Sequence, residues 1–187
     1  MAQYNHYVSV PHSSYEVWRT NTLGNGYNVD QAFGNQCWDY VANLYWQYGR
    51  TLYTKPGGGY AKDCWLVSRQ ANSQSPFISI EGKTNIKRGD IIVWNGNSSY
   101  PTGHIAFADQ DYDPSNPNEI WTVGQAPVNH GINGVVSRDK LSLSLFLGIF
   151  RNTDWQDPEP EPSEDEEKKK KKGFPWVTAW NYWGYRH

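Results

Sequence analysis

The chain has 187 residues, of which 37% are hydrophobic and 19% are charged, as expected for one folded domain with a short appendage and not for a disordered polymer. Its formal net charge of −2 and its pI of about 6.2 argue against a nucleic-acid partner, because such proteins neutralise phosphates with a basic surface. Two cysteines, Cys37 and Cys64, are too few for the disulfide framework of a small secreted scaffold, and they leave open either one bridge or two free thiols.

The N-terminal residues show no sign of a leader. Residues 1–7 lack the basic start and the apolar stretch of ~7–15 residues that mark a secretory signal. No later run reaches the ~18 apolar residues of a transmembrane helix. We therefore expect a protein that is made in the cytoplasm and exported, if at all, by another route.

The predicted helices lie in the first part of the chain. The first is short, residues 14–20, with Ser13 or Ser14 as its N-cap. After a loop rich in glycine and asparagine, apolar residues recur from Cys37 at the spacing i, i+3, i+4, i+7, i+8 and i+11, which predicts a helix that begins at this cysteine. A third helix is predicted over 61–70.

Short β-type runs separated by turn residues follow after residue 75. Helices first and strands later indicate an α+β domain, with N-terminal helices packed on an antiparallel sheet. The predicted strands are 77–80, 90–94, 104–108, 119–123, 134–137 and 144–151.

The composition changes abruptly at Asp154, so we place the end of the main domain, residues 1–153, directly before it. Residues 154–173 are predicted to be a charged linker, in which seven acids over 157–167 precede five lysines, as in an isolated charged helix or a solvated spacer. Residues 174–187 are rich in tryptophan. We expect this segment either to bind an anionic wall polymer or a membrane surface, or to fold back onto the domain.

Cys37 is the first candidate for a nucleophile. A thiol at a helix N-terminus faces unpaired N–H groups, which favour the thiolate and can also receive an oxyanion. A buried structural cysteine is the alternative, and Cys64 also begins a predicted helix. His104 begins a predicted strand, and a helix-borne cysteine facing a strand-borne histidine is the arrangement of papain-type hydrolases, in which the imidazole moves the thiol proton.

Four stretches of the sequence resemble, in content and order, the CHAP domain. CHAP domains are cysteine, histidine-dependent amidohydrolases or peptidases with a papain-like fold, common in phage endolysins and virion-associated wall hydrolases. The resemblance covers about residues 14–151 and implies Cys37 as nucleophile, His104 as base and an amide bond in bacterial peptidoglycan as substrate. The matching stretches are 27–41 (YNVDQAFGNQCWDYV), 59–65 (GYAKDCW), 88–94 (RGDIIVW) and 103–106 (GHIA).

The resemblance also implies an oxyanion hole and a third residue. The backbone N–H of Cys37 would form part of the hole, with Gln36 as a weaker second donor. Where family members often carry Glu-Gln-Asn, this chain has VGQAP over 123–127. Gln125 keeps a carbonyl for the histidine N–H, although strand alternation points it away unless the strand bulges, and a backbone carbonyl or water is the alternative.

The loop before Cys37 has a second predicted role. Several phage CHAP domains hold calcium here, and oxygen ligands in this loop follow an EF-hand-like spacing. The alternative is that the first acid closes a turn and the second is a solvated helix residue. The candidate ligands are Asn28, Asp30, the carbonyls of Ala32 or Gly34, and Asp39.

The sequence thus predicts a phage lysin that cleaves an amide in peptidoglycan through a cysteine thioester, as an endopeptidase or as a muramoyl-alanine amidase. It would act at the bacterial cell wall, released at lysis or carried in the virion. Trp38 and Trp94 are expected near the site. The alternatives are a catalytically silent wall-binding or structural tail protein, and a transacylase that uses the same thioester.

Overall fold

A computed structural model describes residues 6–125 and 134–155 of the chain. Within these residues, four α-helices precede a six-stranded sheet of order β1-β6-β2-β3-β4-β5, in which every neighbouring pair is antiparallel. The predicted α+β class is confirmed. The helices are α1 (Tyr15–Thr22), α2 (Cys37–Gln47), α3 (Asp63–Leu66) and α4 (Arg69–Asn72). The strands are β1 (Phe77–Ile80), β2 (Ile91–Trp94), β3 (His104–Ala108), β4 (Glu119–Gly124), β5 (Ser137–Ser142) and β6 (Phe146–Asn152), with a 3-10 turn at Lys83–Asn85.

The first two helices lie close to their predicted bounds. Ser14 caps α1, because its hydroxyl accepts a hydrogen bond of 3.2 Å from the N–H of Val17. The apolar stripe that predicts α2 is the face that this helix buries. That face carries Tyr40, Val41, Leu44 and Tyr45.

The single helix predicted over 61–70 is wrong. The structure has two one-turn helices there, α3 and α4. The backbone leaves helical geometry at Ser68, where φ is −113° and ψ is 16°, and the N–H of Ser68 bonds back to the carbonyl of Asp63 at 3.0 Å. This bond closes the first turn before the second begins.

The strand predicted over 134–137 is also wrong, whereas the other strands agree with their predictions to within two residues. β5 runs alongside β4, from the pair Gly124 and Ser137 to the pair Glu119 and Ser142. Its sequence, SRDKLS, has few apolar residues. Hydrophobic periodicity therefore does not predict this strand, nor does it predict that polar side chains of the strand lie near the site.

The sheet buries apolar side chains on both faces. One face packs on α1 and α2, where Trp18, Tyr40 and Phe107 are in mutual ring contact. Alternation along β3 therefore directs Ile105 and Phe107 towards the helices and His104 towards the second face. The second face carries Ile92, Trp94, Ala106, Ile120 and Ile149.

The chain divides into two units, with the boundary between Trp155 and Gln156. Apart from its first two residues, the predicted linker 154–173 lies outside the described residues, as does the aromatic segment 174–187, and both stay predictions. Among the described residues there is no helix of the length and apolar character needed to span a bilayer.

Candidate active site

Asp39 holds the loop that precedes the predicted nucleophile. Its side chain is buried, and its Oδ1 accepts hydrogen bonds from the N–H groups of Val29 and Asp30, at 2.9 and 3.3 Å. Its Oδ2 accepts a bond of 2.9 Å from the N–H of Gln36, which caps α2. The interpretation of Asp39 as a solvated helix residue is therefore wrong, because the carboxylate ties the loop to the first turn of α2.

The loop itself is tightly wound. Gln31 and Phe33 adopt positive φ angles of 56° and 58°, which are unfavourable for residues that carry a Cβ. The side-chain amide of Gln36 donates to the carbonyl of Ala32 at 3.0 Å, and the Oδ1 of Asp30 accepts from the N–H of Ala32 at 2.8 Å. These bonds hold the turns in place and fix the point at which the chain enters α2.

Gln125 ties the same loop to the end of β4. It is fully buried, its Oε1 accepts from the N–H of Tyr27 at 2.7 Å, and its Nε2 donates to the carbonyls of Tyr27 and Gln36 at 2.6 and 2.8 Å. The prediction that Gln125 orients the imidazole of His104 is therefore wrong. Strand alternation directs its side chain to the loop, where it fixes the residue directly before the nucleophile.

Cys37 is the first residue of α2. It is half-buried, and both it and Cys64 are free thiols. Burial is the largest effect on the thiol and raises the pKa of Cys37 to about 11. The N–H groups of Ile105, Trp38 and Cys37 itself lower that pKa, in the direction predicted for a helix N-terminus, but by less. The thiol is therefore protonated at pH 7 in the free protein.

His104 begins β3 and pairs with Trp94 of β2. The two rings are 5.7 Å apart, centroid to centroid, and Trp94 is buried, so it supports the imidazole more than it lines an open groove. Burial lowers the pKa of His104 to about 4, and the negative charge of Asp139 on β5 acts in the opposite sense. At pH 7 the imidazole is therefore neutral, which is the form that accepts a proton.

The fold places the predicted nucleophile beside the strand that carries the predicted base. α2 packs on β3, and the N–H that bonds to the sulfur of Cys37 from the sheet belongs to Ile105, the residue directly after His104. Gln36, the predicted second oxyanion donor, adjoins Cys37 and uses its side-chain amide for the carbonyl of Ala32. Cys37 and Gln36 thus lie beside the strand that begins at His104, and the roles predicted for these three residues stay predictions, whereas the side chain of Gln125 turns to the loop.

Two further residues surround the imidazole, and sequence reasoning missed both. A Cβ on Gly124 would lie 3.6 Å from the Nε2 of His104, so the neighbouring strand approaches the ring without a side chain. Asp139 lies on β5, opposite Thr122 of β4. The sequence of β5, SRDKLS, has no hydrophobic periodicity that could have identified Asp139.

The loop also contains oxygen atoms of the kind that bind calcium. The Oδ1 of Asn28 is buried and has no hydrogen-bond partner among the described residues, and the Oδ2 of Asp39 accepts one N–H. Burial, with the charge of Asp30 acting in the same direction, raises the pKa of Asp39 to about 7. These donors fit a cation. The described residues contain no cluster of three or more His, Cys, Asp or Glu side chains, so such a site would be poor in charge.

Comparison with known proteins gives matches from sequence and from structure. The CHAP domain matches residues 22–126, more than half of the chain. The D-alanyl-L-alanine endopeptidase of Streptococcus phage B30 is 26% identical over 133 residues, which are 71% of this chain and 28% of that protein.

Two solved structures are similar. The wild type endolysin LysIME-EF1 has a TM-score of 0.59 and 20% identity, over 75% of this chain and 64% of that one, which shows a shared fold. Ly7917 has a TM-score of 0.49 and 14% identity, over 73% of this chain and 60% of that one. The chain thus spans less than two thirds of each of these proteins. On the family match, this chain belongs to the CHAP domain family.

Proposed function

We propose that this chain hydrolyses an amide bond in bacterial peptidoglycan through a thioester on Cys37, as a bacteriophage lysin acting at the cell wall. The observation that carries the proposal is the placement of the Cys37 sulfur, at the N-terminus of α2 and bonded by the N–H next to His104. The similar phage protein is named a D-alanyl-L-alanine endopeptidase, which favours a peptide bond of the stem or cross-bridge over the muramoyl-alanine bond.

Acylation is the first half of the reaction. His104 takes the proton from the thiol as the sulfur of Cys37 attacks the carbonyl carbon, and a tetrahedral oxyanion forms. The N–H groups at the start of α2 receive the negative charge, with the amide of Gln36 beside them. The C–N bond then breaks, and the leaving amine takes the proton from the imidazolium of His104.

Deacylation regenerates the thiol. His104, neutral again, takes a proton from water, and the hydroxide oxygen adds to the thioester carbon. The C–S bond breaks, the sulfur of Cys37 recovers its proton from His104, and a carboxylic acid leaves. Because the pKa of Cys37 is raised to about 11 and that of His104 is lowered to about 4, the free protein holds a neutral pair. Proton transfer therefore accompanies the attack and does not precede it.

Digestion of purified sacculi tests the proposed activity. We expect the full chain to lower the turbidity of a sacculus suspension and to release free amino groups without new reducing sugar ends, because an amide is cut and a glycosidic bond is not. Mass spectrometry of the fragments names the bond: a new N-terminus with the peptide still attached to muramic acid indicates an endopeptidase, and free muramic lactyl groups indicate an amidase. Turbidity loss accompanied by reducing ends would contradict the proposal.

We propose in addition that the loop binds calcium weakly, through Asn28, Asp30 and Asp39 with the carbonyls of Ala32 or Gly34. The buried, unbonded Oδ1 of Asn28 and the nearby carboxylates of Asp30 and Asp39 support it. A bound cation would neutralise the two acids and hold the loop that presents Cys37.

Thermal melting tests the calcium site. Adding calcium to EDTA-treated protein is expected to raise Tm by about 3–6 °C, because a ligand that binds only the folded state stabilises it. Asp30→Ala should remove this response. Asp113→Ala is the matched control, since the Oδ1 of Asp113 also accepts the N–H two residues on, at 2.8 Å, but lies outside the loop. A wild-type Tm indifferent to both calcium and EDTA would exclude the site.

A further inference from the structure

The imidazole of His104 lies in a buried part of the sheet. Its Nε2 is buried without a hydrogen-bond partner in the described part of the chain. A cysteine–histidine pair works best when a third group orients the ring and stabilises the imidazolium that forms during attack. The structure around Nε2 therefore bears directly on how fast the proposed reaction runs.

Gly124 explains why that group cannot come from the adjacent strand. A Cβ at this position would stand 3.6 Å from Nε2 of His104 and 2.8 Å from the Cβ of Ala106. A side chain on β4 would thus point straight at the ring, but glycine has none. The absence of a side chain leaves a gap between the imidazole and the next strand, β5.

β5 places an acid across this gap. Ser137 pairs with Gly124, and Asp139 pairs with Thr122, so both side chains lie on the face that carries His104. The hydroxyl of Ser137 donates to the Oδ2 of Asp139 at 2.6 Å, and the hydroxyl of Thr122 donates to the carbonyl of Asp139 at 3.0 Å. The carboxylate is therefore held towards the end of the sheet at which His104 begins β3.

Other charged groups on these strands face the opposite side. Arg138 pairs with Asp109, and Lys140 lies 2.7 Å from Glu119. The imidazole meets Trp94 from β2 and Gly124 from β4, and the N–H of Ile105, directly after His104, bonds to the sulfur of Cys37. Among these elements, Asp139 is the group whose charge raises the pKa of His104 against the effect of burial.

We propose that Asp139 is the positioning residue for His104, acting from β5 across Gly124 with its carboxylate fixed by Ser137. The inference rests on the proposed function. When His104 takes the proton from Cys37, the carboxylate of Asp139 stabilises the imidazolium, and it holds the ring in the orientation that returns the proton to the leaving amine.

Three variants of the full chain test this role. Asp139→Asn removes the charge and keeps the shape, Asp139→Glu restores the charge, and Glu119→Gln removes a charge from the same pair of strands but on the other face. NMR of ¹³C-labelled histidine, with His104 assigned from a His104→Gln sample, follows the titration of the ring without substrate. Release of amino groups from sacculi follows kcat and KM. Circular dichroism checks folding, and Asp139→Ser replaces Asp139→Asn if the latter does not fold.

We expect the pKa of His104 to fall by about half a unit or more in Asp139→Asn. We also expect kcat to fall at least about 10-fold with KM little changed, because the imidazolium forms only after substrate binds. Asp139→Glu should recover part of the loss in the pKa of His104 and part of the loss in kcat. Glu119→Gln should have the same His104 pKa and the same kcat as the wild type. An Asp139→Asn protein that titrates and turns over like Glu119→Gln would overturn the inference. A wild type that releases no amines overturns the proposed function instead, and the titration then decides on Asp139 alone.

Discussion

Cys37→Ala is expected to abolish peptidoglycan cleavage, with a loss of at least about 10⁴-fold in the rate of amine release, because no other group can form the acyl intermediate. The fold should persist, since Cys37 is half-buried and its replacement removes one atom. Binding to sacculi should also persist, because the surface that contacts the substrate is otherwise intact. Amine release measures cleavage, circular dichroism measures folding, and sedimentation with sacculi measures binding.

Cys64→Ala is the matched control for that variant. Cys64 is a fully buried residue of α3, so its replacement should lower Tm. At a temperature where the variant stays folded, its turnover should be close to that of the wild type. If Cys37→Ala retained wall clearing, the hydrolase account would fail and a silent wall-binding or structural tail protein would explain the fold better. New cross-links in place of new termini would identify a transacylase.

His104→Gln is expected to reduce turnover at least about 10³-fold, because the thiol, with a pKa of about 11, loses the base that removes its proton. His12→Gln is the control. His12 contacts Tyr48, which follows the far end of α2, so its loss should leave turnover unchanged. A His104→Gln protein with wild-type turnover would remove His104 from the mechanism.

The same variant has an expected effect on stability. The pKa of His104 is about 4 in the folded protein, against 6.5 for an ordinary imidazole, so the unfolded chain binds the proton more tightly. Wild-type stability should therefore fall as pH decreases from about 6.5 to 4, by about 3 kcal/mol from this group.

His104→Gln should not show that part of the loss. Asp39, with its pKa raised to about 7, acts in the opposite direction over part of the same range, but it is present in both proteins and cancels in the comparison. Urea denaturation at pH 7 and pH 4.5 measures the difference. An equal loss of stability in the two proteins would contradict burial of a neutral imidazole.

The sequence was sufficient for the elements with strong local patterns. The apolar spacing from Cys37 predicted α2, because this helix buries one face in the core. The apolar run from His104 predicted β3 with its bounds, because this strand is buried on both faces.

The parts that escaped prediction depend on contacts between distant segments. Gln125 bonds to a loop nearly a hundred residues away, and only the fold shows that its side chain serves the loop and not the imidazole. The sequence spacing indicated a calcium ligand or a solvated residue at Asp39. The structure shows a buried carboxylate that accepts hydrogen bonds from three backbone N–H groups of the preceding loop. Asp139 lies on a strand that pairing with β4 stabilises without an apolar pattern of its own.

Digestion of purified peptidoglycan in ¹⁸O-labelled water, followed by mass spectrometry, tests the thioester mechanism most directly. The wild type should generate matched new amino and carboxyl termini, with one ¹⁸O atom in each new carboxyl group from the water that resolves the thioester. Cys37→Ala should generate none. The same labelled termini from Cys37→Ala, or their absence from the wild-type digest, would contradict attack by the sulfur of Cys37.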